Sequence, residues 1–207
     1  MPQSKLRTFY SQKPNLIFIE EAVEVLEQGG MIIFPTDTVY ALGCLSSQGD
    51  RLKDLARIKG VKLEHAPLSF IFEDIRSLSS FVRPMNSQVF KLVKRLLPGP
   101  YTLIMEAVQK LPKPFQKRRT IGVRISDHPI LKALLPLLSA PIVCTSIHDP
   151  DEIVDYTTDP EILLERWDLE IELMLSDGYG SNIPSTVMDL TKNPFEVLRE
   201  GAGELPF

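Results

Sequence analysis

Apolar and polar residues follow two periods along this chain, and the switches between them lay out an alternation of helices and strands. Residues 31–34 are an unbroken apolar run that predicts a buried strand. Pro35 ends it, because proline has no N–H to give to a central ladder. Ahead of that run, Ile19, Val23 and Leu26 recur at helical spacing behind Asn15, a capping residue, and Gly29-Gly30 closes the helix. A second helix is predicted from Ser47, with Leu52, Leu55 and Ile58 inward. Gly60 ends it, so Lys59 stands at a helix terminus before a loop over 61–66. Residues 67–72 read as a buried strand, and Asp74 opens a short helical piece toward Phe81. Asn86 opens an amphipathic helix through Val89, Leu92, Val93 and Leu96 that stops at Pro98-Gly99-Pro100.

The second half continues the pattern. Strands are predicted over 101–107, 120–125, 141–145 and 171–175, with helices from His128-Pro129 to Leu138 and from Asp159-Pro160 to Trp167. Residues 110–119 read as a basic loop, 148–160 as an acidic, flexible stretch, and 184–190 with 195–201 as a closing hairpin. Residues 1–14 are polar and read as an extended arm or an edge strand. The expected architecture is one α/β domain over 15–207 behind an N-terminal arm, with a twisted mixed sheet and flanking helices.

Composition narrows the classes. With 207 residues, 43% of them hydrophobic, the chain can bury a core of its own. A net charge of −4 argues against a surface built throughout for nucleic acid, yet leaves room for a local basic groove. Cys44 and Cys144 are too far apart in sequence to suggest a zinc or disulfide framework, so a reducing cytoplasm is expected. No apolar run approaches the ~18 residues of a membrane span, and the first residues lack the apolar core of a signal peptide.

Candidate chemistry gathers at strand ends. Thr36, Asp37 and Thr38 follow the 31–34 strand, Tyr40 adds an aromatic face with a polar tip, and Gly43 permits close backbone approach. In the strand 120–125, Thr120, Gly122 and Arg124 share one face, while Ile121, Val123 and Ile125 share the other. Arg124 needs an anion there, either an internal Asp or Glu or the carboxylate or phosphate of a ligand. Ser146 and His148 follow the 141–145 strand, and Ser185 and Arg199 end the hairpin strands. Lys110, Lys113, Lys117, Arg118 and Arg119 form the densest basic run, a pattern that is usually a solvated surface. No Ser-His-Asp or Cys-His set, Walker loop, dinucleotide fingerprint or paired zinc ligands occur. Hydroxyls and cations of this kind suit an anionic ligand better than covalent catalysis.

Six ordered blocks carry a resemblance. They are Pro35-Thr36-Asp37-Thr38-Val39-Tyr40-Ala41-Leu42-Gly43, Ile58-Lys59-Gly60, Pro98-Gly99-Pro100-Tyr101-Thr102, Thr120-Ile121-Gly122-Val123-Arg124-Ile125, Pro184-Ser185-Thr186-Val187-Met188-Asp189 and Leu198-Arg199-Glu200-Gly201. Together they resemble the YrdC/YciO family. Arg118-Arg119-Thr120-Ile121-Gly122 and the terminal Gly201-Ala202-Gly203 with Pro206-Phe207 are of the YciO type. The resemblance implies a concave, positively charged cleft on the sheet, of YrdC/RibB-like fold. It also implies synthesis of L-threonylcarbamoyl-adenylate from L-threonine, bicarbonate and ATP, the intermediate for threonylcarbamoyladenosine in tRNA. ATP would enter with Mg²⁺ as substrate, with no tightly bound organic cofactor, no metal held by protein side chains alone, and double-stranded RNA or tRNA as a further partner. By matching positions, Thr36, Thr38, Arg124, Ser146 and Ser185 fall to L-threonine, and Lys59, Lys62, Thr120, His148 and Arg199 to the nucleotide.

The chain also departs from the synthases. They carry Lys-x-Arg-Pro where this sequence reads Lys59-Gly60-Val61-Lys62, so the arginine is missing and Lys62 is its partial substitute, without a guanidinium's planar fork. Ser146-Ile147-His148 stands for their Ser-x-Asn, and Ile71 for a histidine of some relatives. Two classes follow: a carbamoyl-adenylate synthase, or a YciO-type protein that binds nucleotide or double-stranded RNA with weak or no turnover. A sensor of a small anionic metabolite is a third.

Overall fold

The computed structural model describes residues 5–10, 13–109, 111, 113–147 and 155–205. Ten strands among them form one mixed sheet: β1 (Leu6–Thr8), β2 (Ile32–Phe34), β3 (Ala41–Leu45), β4 (Ser69–Ile71), β5 (Tyr101–Glu106), β6 (Thr120–Arg124), β7 (Ile142–Ser146), β8 (Leu173–Ser176), β9 (Thr186–Asp189) and β10 (Glu196–Arg199). Their order across the sheet is β1-β8-β2-β3-β7-β4-β6-β5-β9-β10. The flanking helices are α1 (Leu16–Glu27), α2 (Gly49–Ile58), α3 (Ile75–Leu78), α4 (Ser87–Leu96), α5 (Pro129–Leu134), α6 (Asp155–Thr158) and α7 (Pro160–Trp167). No described helix is long and apolar enough to cross a membrane.

Helix starts follow the capping residues. Asn15 accepts from the Ile17 N–H, Asn86 from Val89, His128 from Ile130 and Asp159 from Glu161, while Asp74 and Ser77 cap each other reciprocally. Several boundaries differ from the sequence reading. The second helix begins at Gly49, not at Ser47, with no side-chain cap. The 128–138 helix gives way at Leu135 to a 3₁₀ turn, because Pro136 supplies no N–H to continue the ladder. The acidic stretch contains a helical turn, α6, while residues 148–154 lie outside the described set. Leu6–Thr8 pairs in parallel with β8 as an edge strand.

The largest difference is β3. The stretch between the Thr-Asp-Thr turn and the second helix is a central strand, antiparallel to both β2 and β7. Ala41, Gly43 and Leu45 give it little β-branched signal, and its burial on both faces comes from neighbours distant in sequence. Gly43 explains why this strand tolerates a glycine: a Cβ there would lie 2.9 Å from the Val143 carbonyl oxygen and from Ile142 Cγ2.

Two apolar clusters sandwich the sheet. On one face, α2, α3, α4 and α7 cover Ile33, Leu42, Cys44, Phe70, Leu103, Ile121, Val123 and Met188. On the other, α1 and α5 cover Ile32, Phe34, Ala41, Leu45, Ile142, Cys144, Leu173 and Leu175. That second layer stops short of β6, β5 and β9. The sheet therefore keeps half of one face free of helix cover, and the residues there have no apolar layer to enter.

Gly43→Ala is expected to lower the urea midpoint, by about 1–3 kcal/mol of stability, because the backbone of β7 cannot yield to the new methyl. Gly49→Ala, whose Cβ meets nothing within 4 Å, should leave stability unchanged or raise it by up to about 1 kcal/mol.

Burial pushes the Cys44 thiol up to about 12. The core holds the neutral thiol, so its contribution is whole below the free thiol value of about 8.5 and is lost as pH climbs toward the folded value. Urea unfolding at about pH 7.5 and about pH 10.5 should show the wild type losing on the order of 2 kcal/mol more than Cys44→Ala.

Candidate functional site

The turn that follows β2 is held by its own hydroxyls. Thr36 Oγ1 donates to the Val39 carbonyl at 2.7 Å and accepts the Thr38 N–H at 3.1 Å, and it lies 3.0 Å from Thr38 Oγ1. Thr36 is therefore spent on the turn. Its partner Thr38 faces β6, where Arg124 Nη2 donates to Thr38 Oγ1 at 3.0 Å and to Asp37 Oδ1 at 2.9 Å. Ser126 donates to the same carboxylate oxygen at 2.8 Å. Arg124 thus has the internal acid that its position demanded.

The pair is only half used. Arg124 and Asp37 are almost wholly buried, with side chains 6% and 12% exposed, yet they meet through a single nitrogen and a single oxygen. Arg124 Nε and Asp37 Oδ2 are buried and find no partner. Such groups cost about 1–3 kcal/mol each when left dry, so a guanidinium with unspent donors beside a cavity is a ready place for a second carboxylate or a phosphate.

That cavity, about 230 Å³, lies over the uncovered half of the sheet. Its floor is Gly122 of β6, with Ser69 of β4 and Thr102 and Ile104 of β5 close enough that a Cβ on Gly122 would meet all three at 3.3–3.4 Å. Around it stand Arg118, Thr120, Arg124, Cys144, Thr145, Ser146, Ser185, Val187 and Arg199. Five sequence-predicted residues, Thr120, Arg124, Ser146, Ser185 and Arg199, therefore share one hollow. Gly122 is small because a larger residue would fill it.

Arg199 reaches the hollow by a backbone irregularity. Met188 pairs with Val197, but the next pair is Val187 with Arg199, so Leu198 is the extra residue of a β-bulge. Without the bulge Leu198 would stand opposite Val187, on the cavity side. The guanidinium then holds the Ser185 carbonyl through Nε at 3.1 Å and Nη2 at 2.8 Å, and Ser185 Oγ lies 2.8 Å from Thr102 Oγ1. No described carboxylate pairs with Arg199. Burial, and then the nearby Arg124 charge, lowers its pKa below the usual arginine value.

Lys59, at the end of α2, reaches across to the Ser146 carbonyl at 3.2 Å. It lines a second hollow of about 140 Å³ that shares Thr145 and Ser146 with the first. Lys62 is exposed and lines neither, Thr36 and Thr38 stand behind Arg124, and His148 lies outside the described residues. Sequence reasoning missed Ser69 and Ser126 and assigned Thr102 no role. It also placed Arg118 in a solvated basic loop, whereas Arg118 is half-buried in the cavity wall. Strand alternation opposite Gly122 was the available signal for Ser69 and Thr102; for Arg118 it was the YciO-type stretch Arg118-Arg119-Thr120-Ile121-Gly122, to which no role was attached for Arg118.

Chemically, the lining is made of groups suited to binding and orienting an anion rather than to covalent attack. Burial pushes the Cys144 thiol up to about 11, against a weaker opposite pull from Arg124, so it stays protonated near neutral pH. No histidine stands among the described lining residues to serve it as a base. A larger hollow of about 310 Å³ elsewhere has its arginine already paired, Arg83 with Glu106 at 3.2 Å.

Comparison with known proteins gives concordant results. The Sua5/YciO/YrdC family model, described as "Telomere recombination", matches residues 24–201. Escherichia coli YciO is 34% identical over 202 residues, covering 96% of each chain, and its crystal structure superposes with a TM-score of 0.87 over 98% of each. The human threonylcarbamoyl-AMP synthase is 30% identical over 194 residues, 88% of this chain and 67% of that one. The structure of P. abyssi Sua5 complexed with L-threonine has a TM-score of 0.82 at 26% identity, covering 95% of this chain and 57% of that one.

Asp37→Ala should destabilise the fold by on the order of 3 kcal/mol, since it strands a buried arginine. In an Arg124→Met background the same change should cost far less, and a double-mutant cycle in urea reads the difference.

Proposed function

Because the chain belongs to the Sua5/YciO/YrdC family, we propose that this cavity binds L-threonine and ATP and forms threonylcarbamoyl-adenylate with release of pyrophosphate. The observation that supports it best is the convergence of Thr120, Arg124, Ser146, Ser185 and Arg199, from separate strands and loops, on one hollow with Lys59 at its shared wall.

In this reading bicarbonate and the threonine amine give a carbamate with loss of water, and a carbamate oxygen then bonds to the α-phosphorus of ATP as the bond to pyrophosphate breaks. The side chains form no covalent bond. Arg124, with Thr38 behind it and unspent Nε, takes the amino acid carboxylate, helped by the Ser146 and Ser185 hydroxyls. Arg199 and Thr120 hold the nucleotide and Lys59 its phosphates, so that charge moving onto pyrophosphate meets fixed cations. No group of three His, Cys, Asp or Glu side chains gathers among the described residues, and Mg²⁺ is taken to arrive with the phosphates of ATP. A reducing cytoplasm, where Cys44 and Cys144 remain free thiols, is the proposed setting.

A second reading keeps the cleft for nucleotide or structured RNA with little turnover. It is favoured by one observation: Val61 and Lys62 are both exposed and line neither hollow. Loss of one phosphate cation weakens transition-state stabilisation by on the order of 10²-fold in rate.

Pyrophosphate release that needs both L-threonine and bicarbonate is the expected result for the purified protein. In calorimetry, Lys59→Ala should weaken ATP about tenfold or more and leave L-threonine nearly unchanged, with Arg124→Ala doing the reverse. Absence of pyrophosphate while ATP still binds would give the second reading; equal binding by wild type and both variants would remove the site.

A further inference from the structure

Arg118 has a charge with no use inside the fold. It leaves the loop before β6, and its backbone is anchored by Phe115, which is buried against Phe70 at 4.8 Å between ring centroids and whose carbonyl accepts the Arg118 N–H at 2.9 Å. The guanidinium lies over the Phe115 ring at 5.5 Å. Its Nη2 donates to the carbonyls of Leu63 at 2.8 Å and Ala66 at 2.6 Å, in the loop that follows α2. These partners are neutral. No described carboxylate pairs with Arg118, and its Nε is buried without an acceptor.

A half-buried cation satisfied only by carbonyls has given up water without gaining a counter-charge. Arg118 shares the 230 Å³ cavity with Arg199, which is likewise without a described carboxylate, and with Arg124, which has Asp37. Two guanidiniums lining one cavity, neither paired with a described carboxylate, match a group bearing two or more negative charges, such as a chain of phosphates, better than they match a single carboxylate. Lys62, which the sequence offered as the second phosphate cation, lines neither hollow, whereas Arg118 fastens the far end of the same loop. Rigid packing on Phe115 and two carbonyl tethers hold its plane in place before any ligand arrives, which lowers the ordering cost of binding.

We propose that Arg118 is a phosphate-binding residue of this cavity, the second guanidinium that grips the polyphosphate chain of the nucleotide. The assignment rests on the ATP reading above, and it extends that reading to a residue outside the six recognised blocks' matched positions.

The test uses the full chain with inorganic tripolyphosphate, ATP and L-threonine as separate calorimetric probes, on wild type, Arg118→Gln and Arg118→Lys. Glutamine removes the charge while keeping a polar, unbranched side chain at the position, although it is too short to reach the Leu63 and Ala66 carbonyls held by Nη2. Arg118→Gln is expected to weaken tripolyphosphate and ATP about tenfold or more, as for a lost charge-assisted hydrogen bond, and to leave L-threonine within about twofold. Arg118→Lys should recover part of the loss. Unchanged tripolyphosphate affinity in Arg118→Gln overturns the assignment, and so does a wild type that does not bind tripolyphosphate. Equal losses in both variants that extend to L-threonine, with a lowered melting temperature, mark a structural role and overturn it as well. If wild type binds tripolyphosphate but releases no threonine-dependent pyrophosphate, the synthase reading fails separately, while the ratio between wild type and Arg118→Gln still judges Arg118.

Discussion

The contact between Arg124 and the Thr36–Asp37–Thr38 turn is the constraint on which the rest of the cavity depends. β2 and β6 are separated in the sheet by β3, β7 and β4, and yet the turn after β2 meets a side chain of β6 through the Arg124 bonds to Asp37 and Thr38. A buried one-point ion pair at that crossing ties the turn to β6 and leaves Arg124 Nε and Asp37 Oδ2 without partners. The same interaction therefore holds Arg124 at the edge of the cavity, where the proposed reading gives it an anion.

Around that crossing, cover is distributed unevenly. α1 and α5 seal one half of a sheet face with apolar side chains, and the other half is floored by glycine, serine and threonine. In the proposed reading a phosphate or carboxylate approaches such a floor closely, and its charge would be balanced by guanidiniums that burial has already stripped of part of their water. Arg118 and Arg199 both have pKa values lowered by that desolvation. At Arg199 the nearby Arg124 charge adds to that lowering, and the proposed anionic ligand would offset it.

The backbone contributes as much as the side chains. A bulge turns Arg199 into the cavity in place of Leu198, and Gly201 follows because a Cβ there would stand 2.2 Å from the Pro184 carbonyl oxygen. The return of the chain past Ser185 is thus packed too closely for any side chain, which ties the last strand to the wall that holds Ser185 and Thr102.

Much was legible in the residues alone, because it depends on local rules. Helix caps at Asn15, Asn86 and Asp159, the two faces of the 120–125 strand, and the demand of a buried Arg124 for an anion all follow from short-range sterics and electrostatics. Other features were decided by the tertiary structure. β3 became a central strand through partners about a hundred residues away, Thr36 turned inward to hold its own turn, Lys62 faced solvent, and Arg118 was drawn from a basic loop into the cavity wall. Periodicity and capping act within a few residues, whereas the register of distant strands, a single bulge and the edge of a helical layer determine which side chains meet, and no local pattern encodes those.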